Sequence, residues 1–135
     1  MATKHDELTV RGRLAARQSG SIEIVIPETA YKLHLVCEEE VLGDIGDAVR
    51  GVVTAVALKI HVAAAGGRFI SPMNGEPRII AGHVLSMSTA AGTAVVQSII
   101  PLEIRVEDSD FLSSLTVGEL VNFHVRSGAS WQPSD

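Results

Sequence analysis

From Leu8 onward, apolar and polar positions alternate. Val10, Gly12, Leu14 and Ala16 fall on one face, and Arg11, Arg13, Ala15 and Arg17 on the other. A period of two predicts a strand with one wet face. Gln18-Ser19-Gly20 reads as a turn. Ile22, Ile24 and Ile26 then alternate with Ser21, Glu23 and Val25 until Pro27, which ends a strand or marks an edge. Tyr31, Leu33, Leu35 and Cys37 are predicted inward, with Lys32 and His34 outward. Glu38 to Asp47, rich in acids and glycines, reads as a loop. The apolar, β-branched run Ala48 to Val62 is too long for one simple strand, so a bend is expected near Ala55 to Ala57, with Leu58, Ile60 and Val62 sharing a face. Arg78 to Met87 is apolar on both faces. Thr93 to Ile100 and Leu102 to Val106 flank Pro101, and Leu120 to Arg126 places Val121, Phe123 and Val125 inward. Ser109 is positioned to cap one short helix over residues 110–115. About nine strands with Gly-rich turns and at most that one helix predict an all-β fold, as small barrels or one sandwich.

The pattern breaks at Gly66 to Gly82, GGRFISPMNGEPRIIAG. Gly66-Gly67 ends an apolar run, Asn74-Gly75 is a turn pair, and Pro72 and Pro77 remove backbone donors. The segments on either side look alike. Val10-Arg11-Gly12-Arg13-Leu14 matches Ile80-Ala81-Gly82-His83-Val84, and Ser19-Gly20-Ser21 matches Ala91-Gly92-Thr93. Tyr31 to Leu35 is aligned with Leu102 to Val106, Gly46 to Val49 with Gly118 to Val121, and Phe69 to Pro72 with Trp131 to Pro133. This order of matches, at an offset of about seventy residues, predicts an internal duplication. The expected organisation is a disordered tail (1–7), a longer first β half (8–72), a joint (73–77) and a second β half (78–133).

Composition sharpens the picture in a few places. The chain has 135 residues, 46% of them hydrophobic but only 4% aromatic, and a formal charge of -5. Residues 1–72 carry 8 basic and 9 acidic groups, and residues 73–135 carry 3 and 7, so the acidity is concentrated in the second half. An acidic chain lacks the electrostatic footprint of a general nucleic-acid binder. A single cysteine, Cys37, excludes an intramolecular disulfide. No apolar run reaches the roughly 20 residues that span a bilayer, and the polar MATKHDEL start has no signal-like core, so a cytoplasmic location is the expectation.

Each half reads as Gly-x-Val or Gly-x-Leu, a strand pair around a Gly turn, a Gly-acid pair and a closing strand. The piece GDAVRGVVTAVALKIHVA resembles the end of the small barrels in molybdate-binding (Mop-type) and transporter-associated OB-type domains, which often occur in tandem. The resemblance spans most of both halves. It implies two small OB-like or Mop-like antiparallel barrels, and a small oxyanion held between them by backbone N–H groups and short polar residues at turns. The joint GGRFISPMNGEPR has no counterpart in those domains.

The candidate chemistry is sparse. His5, His34, His61, His83 and His124 stand at no metal-ligand spacing, and no HExxH, CxxC or G-x-S-x-G occurs. No catalytic residue, metal or cofactor is expected. Cys37 falls at an inward position and reads as a small buried thiol. Glu38-Glu39-Glu40 reads as a solvated acidic loop. The candidate binding residues are a cationic stripe, Arg11, Arg13 and Arg17 with Lys32 and His34 nearby, able to hold an anion or an acidic partner; the competing reading is a wet face balanced by Glu23 and Glu28. Phe69 and Trp131, each followed by a proline, are expected to fold back and close the core of their own halves, with Pro72, Asn74, Gly75 and Pro77 shaping the joint. These features predict a non-catalytic β-barrel module that binds a protein partner or assembles with copies of itself. The alternatives are binding of a small oxyanion such as molybdate or sulfate, and single-stranded nucleic-acid binding on an OB-type face. The last needs stacking aromatics beside basic residues.

Overall fold

A computed structural model describes residues 8–41, 43–107 and 112–134. The strands, in chain order, are β1 (Val10–Gln18), β2 (Ser21–Val25), β3 (Lys32–Val36), β4 (Ala48–Val62), β5 (Phe69–Ser71), β6 (Asn74–Gly75), β7 (Ile79–Ser88), β8 (Thr93–Gln97), β9 (Pro101–Val106), β10 (Leu120–Val125) and β11 (Ser130–Pro133). The protein is almost entirely β. Of the predicted helix, Leu112 and Ser113 carry helical backbone; residues 108–111, with the Ser109 cap, lie outside the described residues.

The predicted inward positions hold along the first strands. Val10, Leu14, Ile22, Ile24, Leu33, Leu35 and Cys37 are buried. Phe123, Val84, Val96, Leu102 and Ile104 do the same work later in the chain, and the buried side chains form one continuous core. The sheet is mixed rather than purely antiparallel: β4 runs parallel to β9, and β3 runs parallel to β11 and β6.

The pairing forms two circuits. β1 pairs β2, β2 pairs β3, β3 meets β11, β11 pairs β4, and β4 returns to β1. In the second, β7 pairs β8, β8 pairs β9, β9 pairs β4, β4 pairs β10, and β10 returns to β7. β4 belongs to both. Its 15 residues extend about 50 Å at the usual rise per residue, which is too long for one small circuit. Residues Ala48–Thr54 pair with β1 and β11, and Thr54–Val62 with β9 and β10. The fifth strand of each circuit therefore comes from the other side. β11 leaves the second circuit to complete the first, and β4 leaves the first to complete the second. The pairings thus run across the boundary at residues 73–77.

The long strand bends later than the Ala55–Ala57 expectation. Burial alternates on odd residues through Ala57 and then shifts to Ile60. The register against β10 slips by one residue between Leu58 and His61, and Lys59 takes φ 51°. An inserted residue of this kind is a β-bulge, which bends the strand and exchanges its faces. The bulge therefore takes Leu58 off the Ile60 face, and Val62, the last residue of the strand, is exposed.

The two circuits repeat several details. Gly12 pairs Val49, and Gly82 pairs Val121. Register slips fall at Leu14/Ala16 on β1 and at Val84/Ser86 on β7. Gly46 N–H donates to Leu14 O and Gly118 N–H to Val84 O, each at 2.7 Å. In the turns before them, Asp47 accepts from the Asp44 amide at 2.9 Å and Glu119 from the Thr116 amide at 2.5 Å. One alignment shifts: Leu33 pairs Ile24 while Leu102 pairs Val96, so Leu33 corresponds to Leu102, and Tyr31 does not.

The joint is paired rather than a free loop. Phe69–Ser71 joins β7, Asn74–Gly75 joins β3, and the Arg78 amide donates back to Ser71 O at 2.9 Å. The expectation that Phe69 and Trp131 close the cores of their own halves needs correction at both rings. Phe69 is 41% exposed; its neighbour Ile70 is buried, because β5 presents that side of the strand to the core. Trp131 is buried at 2%, but in the first circuit on β4, not in the half that precedes it in the chain.

Candidate functional site: the cleft of β1, β4 and β11

The Trp131 ring needs a flat floor, and Gly51 supplies it. A Cβ at Gly51 would collide with Trp131 Cε2 and come within 2.6 Å of both Cζ2 and the Gln132 carbonyl oxygen. A strand glycine commonly marks such a close approach. β11 is further tied to β4 by the Thr54–Ser130 hydroxyl contact of 2.6 Å and by the Ser134 amide, which donates to Arg50 O at 3.0 Å.

Beside this seat lies an open cleft of about 710 Å³, within the size range of small-molecule sites. Arg11, Arg50 and Glu40 line it together with Val41, Val49, Trp131 and Pro133. Arg11 and Arg50 are register partners on β1 and β4. Directly opposite residues of an antiparallel pair share a face, with Cβ atoms about 4.5–5.5 Å apart. Two buried polar atoms here lack a partner: Trp131 Nε1 and Ser134 Oγ, and both residues line the cleft. Buried donors are nearly always satisfied in folded proteins, so such a pair needs a reason.

The predicted cationic stripe is divided by the fold. Arg13 donates to Gly46 O at 3.1 Å, and Arg17 donates to Val41 O at 2.7 Å and Gly43 O at 2.8 Å. These arginines hold the Val41, Gly43 and Gly46 carbonyls against β1. His34 lies opposite Glu23 across β2 and β3 at 2.5 Å, the balancing arrangement weighed above. Lys32 donates its amide to Met73 O and pairs with Asn74, alongside the joint. Only Arg11 of the stripe reaches the cleft. Arg50 was missed by sequence reasoning, although aligning Gly12 with Val49 would have set it opposite Arg11.

Other chemistry is quiet. Burial pushes the Cys37 thiol up, and its Sγ donates to Glu39 O at 3.1 Å, which leaves a poor nucleophile. Among the described residues no group of three or more His, Cys, Asp or Glu converges, and no helix is long and apolar enough to cross a membrane.

Glu76 ties the joint to the β10–β11 connection. Its Oε1 accepts from Ser127 Oγ at 2.6 Å and from the Gly128 amide at 2.8 Å. The Ser127 and Gly128 hydrogen bonds, with the nearby Arg78 charge, hold its carboxyl below the usual carboxylate range. The contact is therefore complete at neutral pH and lost as pH falls through the lowered folded value. In an NMR titration the Gly128 amide should shift with a midpoint below that of an ordinary glutamate, and Glu76→Gln should remove the transition. An ordinary midpoint would contradict this arrangement.

Compared with known proteins, the chain matches no family model, no curated protein and no solved structure.

Proposed function

We propose that the chain is a non-catalytic binding module, built as two interlocked β-barrels descended from one duplicated unit, and that it engages its partner at the β1–β4–β11 cleft. The observation that carries the reading is the cleft itself, where Arg11 and Arg50 face each other without a side-chain partner on a lining that is otherwise largely apolar. A bound partner supplies the countercharge the two arginines lack. The duplication is supported by the matched registers at Gly12 and Gly82 and by the matched turns at Asp44–Asp47 and Thr116–Glu119. The buried Cys37 thiol favours binding over nucleophilic chemistry.

The test fills the cleft. Ala48 is exposed on its lining, so Ala48→Trp occupies the space with little effect on the core. Immobilised protein is exposed to lysate, and the captured species are compared between wild type and Ala48→Trp at matched melting temperature. Light scattering on both covers the case in which the partner is a second copy of the chain. The reading expects a species, or a dimer mass, present with wild type and lost with Ala48→Trp. Identical captures and identical masses overturn it.

A further inference from the structure

Building on the cleft reading, we infer that the ligand group it takes is a single carboxylate on an apolar body, gripped between Arg11 and Arg50. Two like charges directly opposite each other on neighbouring strands destabilise the pair. Neither arginine has an ion pair or hydrogen-bonded side chain among the described residues, whereas Arg13 and Arg17 on the same strand as Arg11 are engaged. The charge left over at Arg11 and Arg50 matches an anion. Guanidinium forks bind planar carboxylates through paired, charge-assisted N–H···O bonds, and Arg serves this geometry better than Lys.

The remaining lining restricts the ligand further. Glu40 shares the cleft with the two arginines, so the lining carries one net positive charge and suits a monoanion over a dianion. The cleft is far larger than an inorganic anion, and Val41, Val49, Trp131 and Pro133 give it apolar walls. An aliphatic or peptide body fills that space while the carboxylate meets the arginines. The Trp131 ring is part of that apolar wall, so a body seated there changes the surroundings of its indole.

The single tryptophan gives a direct readout, because an ¹⁵N-labelled chain shows one indole N–H resonance. Octanoate, octanamide and inorganic phosphate are each titrated into the full chain at constant ionic strength. Octanoate is expected to shift the indole resonance saturably. Octanamide should bind roughly tenfold or more weakly, and phosphate should leave the resonance in place. The double variant R11Q/R50Q should weaken octanoate by a similar factor, while Arg105→Gln, outside this cleft, leaves it unchanged. The melting temperatures of both variants are compared with wild type, and R11Q and R50Q singly replace the double variant if it is unfolded. Equal binding of octanamide overturns the carboxylate assignment and leaves the cleft reading standing. An equal response to phosphate overturns the apolar body. No shift with any of the three overturns the inference outright, and the lysate comparison with Ala48→Trp decides the cleft reading separately.

Discussion

Deleting residues 127–135 is expected to abolish the fold of the first circuit, although the segment is the last in the chain and only Ser130–Pro133 of it is strand. The segment carries the β11 pairing with Thr54–Gly51 and the buried Trp131 ring. Removing a buried Trp or Phe side chain alone typically costs about 3–5 kcal/mol. Loss of the strand adds unpaired backbone along β4 and β3 and opens the cluster around Val53, Leu33 and Leu35 to water. Domain stability is about 5–15 kcal/mol in total, so the truncated chain should show no cooperative melt of this part at room temperature. Methyl resonances of Leu14, Ile24 and Leu33 report it: they should collapse to random-coil positions. Native dispersion of these methyls in the truncated chain would show that β11 is dispensable.

Gly51→Ala, at the one glycine of β4, is expected to be strongly destabilising for a single added methyl. The new Cβ meets the Trp131 ring on one side and the Gln132 carbonyl oxygen at 2.6 Å on the other. The backbone oxygen belongs to the β4–β11 ladder and cannot move without breaking it. Overpacking of a tight site typically costs about 1–3 kcal/mol, and the double contact places this one at the upper end. The collision also predicts coupling. In a Trp131→Ala background the ring contact is gone, so Gly51→Ala should cost clearly less than in wild type. Chemical denaturation of the four species closes this cycle. Additive losses would place the Trp131 ring away from Gly51.

How much of this could be read from the sequence depends on what a period of two contains. It reports which face of a strand is inward, and that part is correct for Val10, Leu14, Ile22, Ile24, Leu33, Leu35, Val121 and Phe123. The Gly-acid turns were also legible, because Gly46 and Gly118 take positive φ and the following acids bond back into the turn. A period does not name the neighbouring strand. Nothing local to Ser130–Pro133 says that it returns to β4, so the sequence places Trp131 with the half that precedes it. Phe69 and Trp131 look alike because each is followed by a proline, yet the two sit on strands with different partners. The bulge at Lys59 leaves no mark in composition. The arginine stripe is half legible: its face is right for Arg11, but the Val41, Gly43 and Gly46 carbonyls take up Arg13 and Arg17, and Arg50 comes from a strand paired only in three dimensions.

The interlocking of the two circuits is the claim on which the rest stands, and differential scanning calorimetry of the intact chain tests it most directly. Each circuit borrows a strand from the other side, so neither has a stable form without its neighbour. A single transition is expected, with calorimetric and van't Hoff enthalpies equal within error. Two resolved transitions, or a calorimetric enthalpy near twice the van't Hoff value, would mean two independent folding units and would contradict the strand exchange.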